Sequence, residues 1–125
     1  AETDVLPACE RFGLGQLPYF PLASGLLTGK YQRGVAAPAD GRIAAWHMDS
    51  MLSDENFDKV DALSAFAGER GLSLLQVALG GLASRPAIAS VIAGATSPEQ
   101  VAANVEAGLW TPTEDDRAAL DLALS

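Results

Sequence analysis

The stretch Ile92-Ala93-Gly94-Ala95-Thr96-Ser97-Pro98-Glu99-Gln100 carries the residue types that hold an anion. A short apolar run, residues 89–93, leads into a small-residue turn. A helix follows, capped by Thr96 or Ser97, with Pro98 at its first position. Gly94 and Ala95 let a ligand approach the backbone. The first N–H groups of such a helix lack intrahelical acceptors, and the Thr96 and Ser97 hydroxyls add donors, so a phosphate suits the junction. An ordinary capped turn has the same composition, and Glu99 opposes an anion, so spacing alone leaves both readings open.

A second candidate runs from Tyr19 to Lys30. An aromatic residue ends an apolar run, and Ser24, Gly25 and Lys30 follow it. The ring could stack on a ligand and the ammonium could meet a phosphate. A core aromatic and a surface lysine would look the same. No GxGxxG, GxxxxGK[ST] or GxSxG motif occurs. Asp54-Glu55 and Asp115-Asp116 fall at helix starts, where they complement the helix dipole rather than form an acid–base pair. His47 is read as a loop surface residue and Cys9 as a packed thiol. No catalytic residue and no metal ligand is assigned.

These residues need elements to hold them. Thr3 or Asp4 caps a first helix with Val5, Leu6, Cys9 and Phe12 on its apolar side, stopped by Gly13 and Gly15. Residues 16–22 are strand-like, although Pro18 and Pro21 remove ladder donors. Residues 32–52 are rich in Ala, Gly and Pro and read as a long mobile loop. Ser53 caps a helix ended by Gly71, and Ser73 caps another, ended by Arg85-Pro86, with Gly80-Gly81 inside it. The run at 89–93 suits a buried strand. Thr113 begins a final helix. Two strands separated by helices describe βα units and a parallel sheet.

Composition narrows the function further. The 125 residues hold 8 basic and 16 acidic side chains, a net charge of −8, one cysteine and one histidine. An intramolecular disulfide and a cysteine-based zinc site are excluded, and His47 has no second histidine with which to pair. The acidic balance argues against nucleic acid as a partner. No run approaches the ~18 apolar residues of a membrane span. The polar start Ala1-Glu2-Thr3-Asp4 is no signal peptide, so a cytoplasmic location is expected. The missing initiator Met points to processing or truncation.

Residues 18–31, Pro18-Tyr19-Phe20-Pro21-Leu22-Ala23-Ser24-Gly25-Leu26-Leu27-Thr28-Gly29-Lys30-Tyr31, resemble the seventh strand and following loop of the aldo-keto reductases. Residues 91–104 resemble their eighth strand and cofactor helix, and residues 55–86 the helices between. The resemblance covers residues 1–125 and only the C-terminal part of that family. It implies an α/β fold: a partial (β/α)₈ TIM barrel made of C-terminal βα units, mostly helical with two short parallel strands. It also implies an NADPH-dependent oxidoreductase that reduces aldehydes or ketones. By this resemblance Tyr19 lies against the nicotinamide. Pro21, Leu22, Ser24 and Leu26 line the pyrophosphate side, largely through backbone groups, and Lys30 closes the loop. Gly94, Ala95, Thr96 and Ser97 form the 2′-phosphate pocket, and Asn104 meets the adenine.

The sequence departs from the family at several points. Gln100 stands where many members have an arginine and cannot form a charged fork, so NAD(H) remains beside NADP(H) as cofactor. Ala93 replaces a frequent proline, and Gly80-Gly81 a frequent Ala-Trp. The family's catalytic Asp, Tyr, Lys and His come from the first half of its barrel and match no position here. The chain alone is therefore expected to be inactive, with the small carbonyl substrate bound by a complete enzyme. Exposed sheet edges lead to an expectation of self-association or docking with the missing half-barrel. A non-catalytic partial barrel, serving as an oligomerising or nucleotide-binding module, is the alternative.

Overall fold

The computed structural model describes residues 2–39 and 41–125. Six α-helices follow in order: α1 (Val5–Phe12), α2 (Arg42–Ala45), α3 (Asp54–Glu69), α4 (Leu74–Ala83), α5 (Pro98–Gly108) and α6 (Glu114–Ala123). Two 3₁₀ segments, Ala23–Thr28 and Asp49–Leu52, flank α2.

Local side chains set most helix starts. Ser53 Oγ accepts from Asn56 N–H, and Ser97 Oγ accepts from Gln100 N–H. Ser73 with Gln76, and Thr113 with Asp116, form reciprocal capping boxes. Each cap stabilises its helix by about 1 kcal/mol. Gly13 closes α1 in the left-handed conformation at φ 64°.

Two apolar clusters share α3. Leu26, Tyr31, Ile43, Phe57 and Val60 join the first 3₁₀ segment and α2 to its N-terminal half. Leu63, Phe66, Ala67, Val77 and Leu120 join α4 and α6 to its C-terminal half, with Trp110 packed beside them. The Trp110 ring meets Phe66 edge-on at 6.3 Å between centroids. Gly80 of α4 serves this packing. A methyl group on Gly80 would run into the Trp110 carbonyl oxygen and stand 3.0 Å from its Cε3. The missing side chain therefore lets the Trp110 backbone lie directly on α4.

Three expectations are corrected. The two strands do not form. Among the described residues one parallel bridge joins Gln16 to Ile88, built from Gln16 N–H to Ala87 C=O (2.7 Å) and Ala89 N–H to Gln16 C=O (2.9 Å). The parallel sense is as the βα reading requires, but Pro18, Pro21 and a positive φ at Phe20 end the first segment's pairing. Two segments also make too small a sheet to persist. Residues 32–52 are not one loop, because Ile43, fully buried at 0% exposure, anchors α2 there. Finally, α1 buries no residue, and Cys9 is only half-buried.

Candidate functional site

The first 3₁₀ segment, α2 and the turn before α5 enclose a groove of about 890 Å³. That volume falls within the range of small-molecule and cofactor sites. Ten of the expected site residues line it: Tyr19, Pro21, Leu22, Ser24, Lys30, Gly94, Ala95, Thr96, Gln100 and Asn104. Leu26 does not, since its side chain is buried in the core. Ser97 is engaged as the cap of α5.

The wall at residues 19–25 is backbone under strain. Phe20, Ala23 and Ser24 have φ of 54°, 47° and 57°, and Gly25 has φ 94°. Non-glycine residues rarely occupy this region, and such strain gathers where function holds the chain in place. The Tyr19 ring stacks on Phe20 at 4.1 Å and is 85% exposed, so its outer face is open to a planar ligand. The Ser24 hydroxyl donates to Met48 Sδ at 3.6 Å, which turns it away from a ligand and leaves the backbone to face the groove.

The opposite wall is the turn before α5. Gln100 Oε1 accepts from Thr96 N–H at 2.8 Å and from Thr96 Oγ1 at 3.1 Å. Gln100 thus rigidifies the turn, and its amide –NH₂ is left to donate. Glu99 does not line the groove. Its carboxyl is held below the usual range by hydrogen bonds to its own backbone and to Ser97.

The electrostatics of the groove differ from those of the chain. Among the described residues no aspartate or glutamate lines it, although the chain carries −8. Lys30 and Arg42 both line it, and neither has a carboxylate partner among the described residues. Arg33, Lys59, Arg70 and Arg85 form ion pairs elsewhere, whereas Arg11 and Arg117, which lie outside the groove, meet a ring and a backbone carbonyl instead. Arg42 was not foreseen from the sequence. Its guanidinium lies 5.1 Å from the Trp46 ring centre, within cation–π reach. A methyl group on Gly94 would stand 3.7 Å from its Nη2. The Arg42 guanidinium therefore reaches across the groove to the Gly94 turn.

Among the described residues the groove thus combines two cations without carboxylate partners, a wall of positive-φ backbone and a small-residue turn before a helix. A sequence model for the aldo/keto reductase family matches residues 1–124. This chain belongs to the aldo/keto reductase family. It is 42% identical over 110 residues to a probable voltage-gated potassium channel subunit beta of Oryza sativa subsp. japonica, covering 85% of this chain and 33% of that relative. It is 34% identical over 115 residues to the L-glyceraldehyde 3-phosphate reductase of Escherichia coli K12, covering 85% and 32%. The structure of a glycerol dehydrogenase from Gluconobacter oxydans superposes with a TM-score of 0.77 at 30% identity, covering 98% of this chain and 38% of that one. The chain spans about a third of the length of these relatives. No helix among the described residues is long and apolar enough to cross a membrane.

Proposed function

We propose that this chain is the cofactor-holding part of an NADP(H)-dependent oxidoreductase acting on a small aldehyde or ketone. The observation that carries the reading is the pair Lys30 and Arg42, which among the described residues line the groove with no carboxylate beside them, in an acidic chain. Isolated cations facing a concave surface are there to meet an anion, and a dinucleotide brings several phosphate charges.

The roles follow the walls. Lys30 and Arg42 hold the phosphates, with the backbone of residues 21–25 closing one side. Gly94 and Ala95 receive the 2′-phosphate at close range, with Arg42 beside them and Thr96, Ser97 and Gln100 fixing the turn. The exposed Tyr19 ring gives the nicotinamide a stacking surface, and Asn104 offers its amide to the adenine. Bound NADPH supplies the hydride for carbonyl reduction. This chain's contribution is to bind and orient it. No residue here matches the family's catalytic Asp, Tyr, Lys or His, so the chain alone binds cofactor and does not reduce a carbonyl. The cytoplasm, with its soluble dinucleotide pool, is the compartment this reading favours.

A second reading rests on α5. Val101 and Val105 on it and Leu109 at its C-cap recur every four residues and are all exposed. That stripe favours a partial barrel which self-associates or docks on its missing half, with or without a nucleotide. One titration separates the two. NADPH added to the protein quenches Trp46 under the cofactor reading, and NADH binds at least tenfold more weakly. Absence of quenching at millimolar NADPH, together with concentration-dependent sedimentation, selects the second reading.

A further inference from the structure

Lys30 and Arg42 are separated by eleven intervening residues, and Tyr31 is the side chain that connects their positions. It is 6% exposed and sits inside the first apolar cluster, outside the groove. Its ring lies between two glycines. A methyl group on Gly25 would stand 3.6 Å from Cε2, and one on Gly41 would stand 3.6 Å from Cε1 and 2.9 Å from the hydroxyl oxygen. Lys30 Nζ lies 5.1 Å from the ring centre. The hydroxyl accepts from Ile43 N–H at 3.5 Å.

That last contact has a specific meaning. The cap residue of α2 is Gly41, which has no side chain with which to bond the helix's first N–H groups. Tyr31 Oη supplies the missing acceptor from another part of the fold. Gly41 has an ordinary φ of −77°, so space for the hydroxyl, not backbone strain, favours glycine there. One ring therefore borders the strained loop at Gly25, lies under the Lys30 ammonium and caps the short helix that carries Arg42.

We infer that Tyr31 is a positioning residue for the phosphate grip: a buried strut that fixes Arg42 relative to Lys30 across the groove. A four-residue helix has little stability of its own, so the position of Arg42 depends on this cap and on Ile43 beneath it. A preorganised cation binds more tightly than one ordered only by the ligand. This inference rests on the cofactor reading for its ligand but not for its geometry.

Tyr31→Phe keeps the ring and its packing and removes only the acceptor. Two measurements on the purified chain test the strut. The first is a double-mutant cycle on NADPH affinity with Tyr31→Phe and Arg42→Gln. The expected result is a roughly tenfold loss for Tyr31→Phe alone and less than a twofold further loss in the Arg42→Gln background. Effects that multiply independently would overturn it, because a general loss of stability is indifferent to the state of Arg42. The second is amide hydrogen exchange without ligand. Ile43 N–H is expected to exchange at least tenfold faster in Tyr31→Phe, with α3 amides unchanged. Unchanged Ile43 exchange overturns the strut. If the wild-type chain binds no NADPH, the cofactor reading fails, and the exchange measurement alone decides the inference.

Discussion

Gly80 and Gly81 are neighbours in one helix, and the structure predicts opposite outcomes when each becomes alanine. At Gly80 the new methyl would overlap the Trp110 carbonyl oxygen and stand 3.0 and 3.1 Å from Trp110 Cε3 and Cβ. Neither a backbone oxygen nor a Cβ can rotate away, so the Trp110 segment must move off α4. That disturbs the edge-on packing on Phe66. Overpacking of this kind costs about 1–3 kcal/mol, against a gain of about 1 kcal/mol in helix propensity. Because the clash is with backbone and Cβ atoms, the upper part of that range applies, about 2–3 kcal/mol, and the net expectation is a loss of roughly 1–2 kcal/mol. At Gly81 the methyl would lie 3.4 Å from Leu120 Cδ1 and 3.8 Å from Trp110 Cζ3. The first of these is the end of a flexible side chain. Propensity then wins, and the expectation is a gain of about 0.5–1 kcal/mol. An unfolding entropy near 2.1 cal/mol/K per residue makes 1 kcal/mol worth about 4 °C for a chain of this length. Thermal unfolding followed by far-UV circular dichroism should place Gly80→Ala about 4–8 °C below wild type and Gly81→Ala about 2–4 °C above it. A Gly80→Ala variant as stable as wild type, or equal shifts for both, would refute the packing argument.

Other outcomes follow from the same contacts. Lys30→Gln removes one of the two groove cations and should weaken NADPH binding about tenfold, with a shallower salt dependence in a calorimetric titration. Asp116 is held below its ordinary value of 3.8, chiefly by the hydrogen bond from Arg70, with Thr113 adding to it. A carboxylate lowered in the folded state stabilises above the unfolded value, and that stability disappears as pH falls through the folded one. Asp116→Asn should therefore melt below wild type at pH 7, the gap closing as the pH falls below the ordinary value of 3.8. Leu120→Ala empties a buried site beside Phe66 and Val77 and should cost about 2–4 kcal/mol in urea unfolding.

What could be read from the sequence was local. Ser53, Ser73, Ser97 and Thr113 act within three residues of themselves, and each caps the helix expected of it. The turn at Gly94–Thr96 and the segment from Tyr19 to Lys30 were recognisable as separate candidates because each has its own short-range chemistry. Arg42 was not recognisable. It sits in a stretch with no period, and its place depends on Ile43 reaching a core made by α3 and on a hydroxyl eleven residues earlier. The strands failed for a related reason. A buried parallel strand needs neighbours on both sides, and Gln16 and Ile88 have only each other. The Gly80-Gly81 pair could be read from sequence as close packing or as a weak helix, and only the position of Trp110 decides for packing at Gly80.

The central claim is that one groove, gripped by Lys30 and Arg42, holds a nicotinamide dinucleotide. Amide chemical-shift mapping of the labelled chain with NADPH tests it residue by residue. The account predicts shifts at Gly25, Lys30, Arg42, Gly94, Thr96 and Asn104, with α3 and α6 unmoved. Shifts confined to α3 or α6, or none at millimolar NADPH, would contradict it.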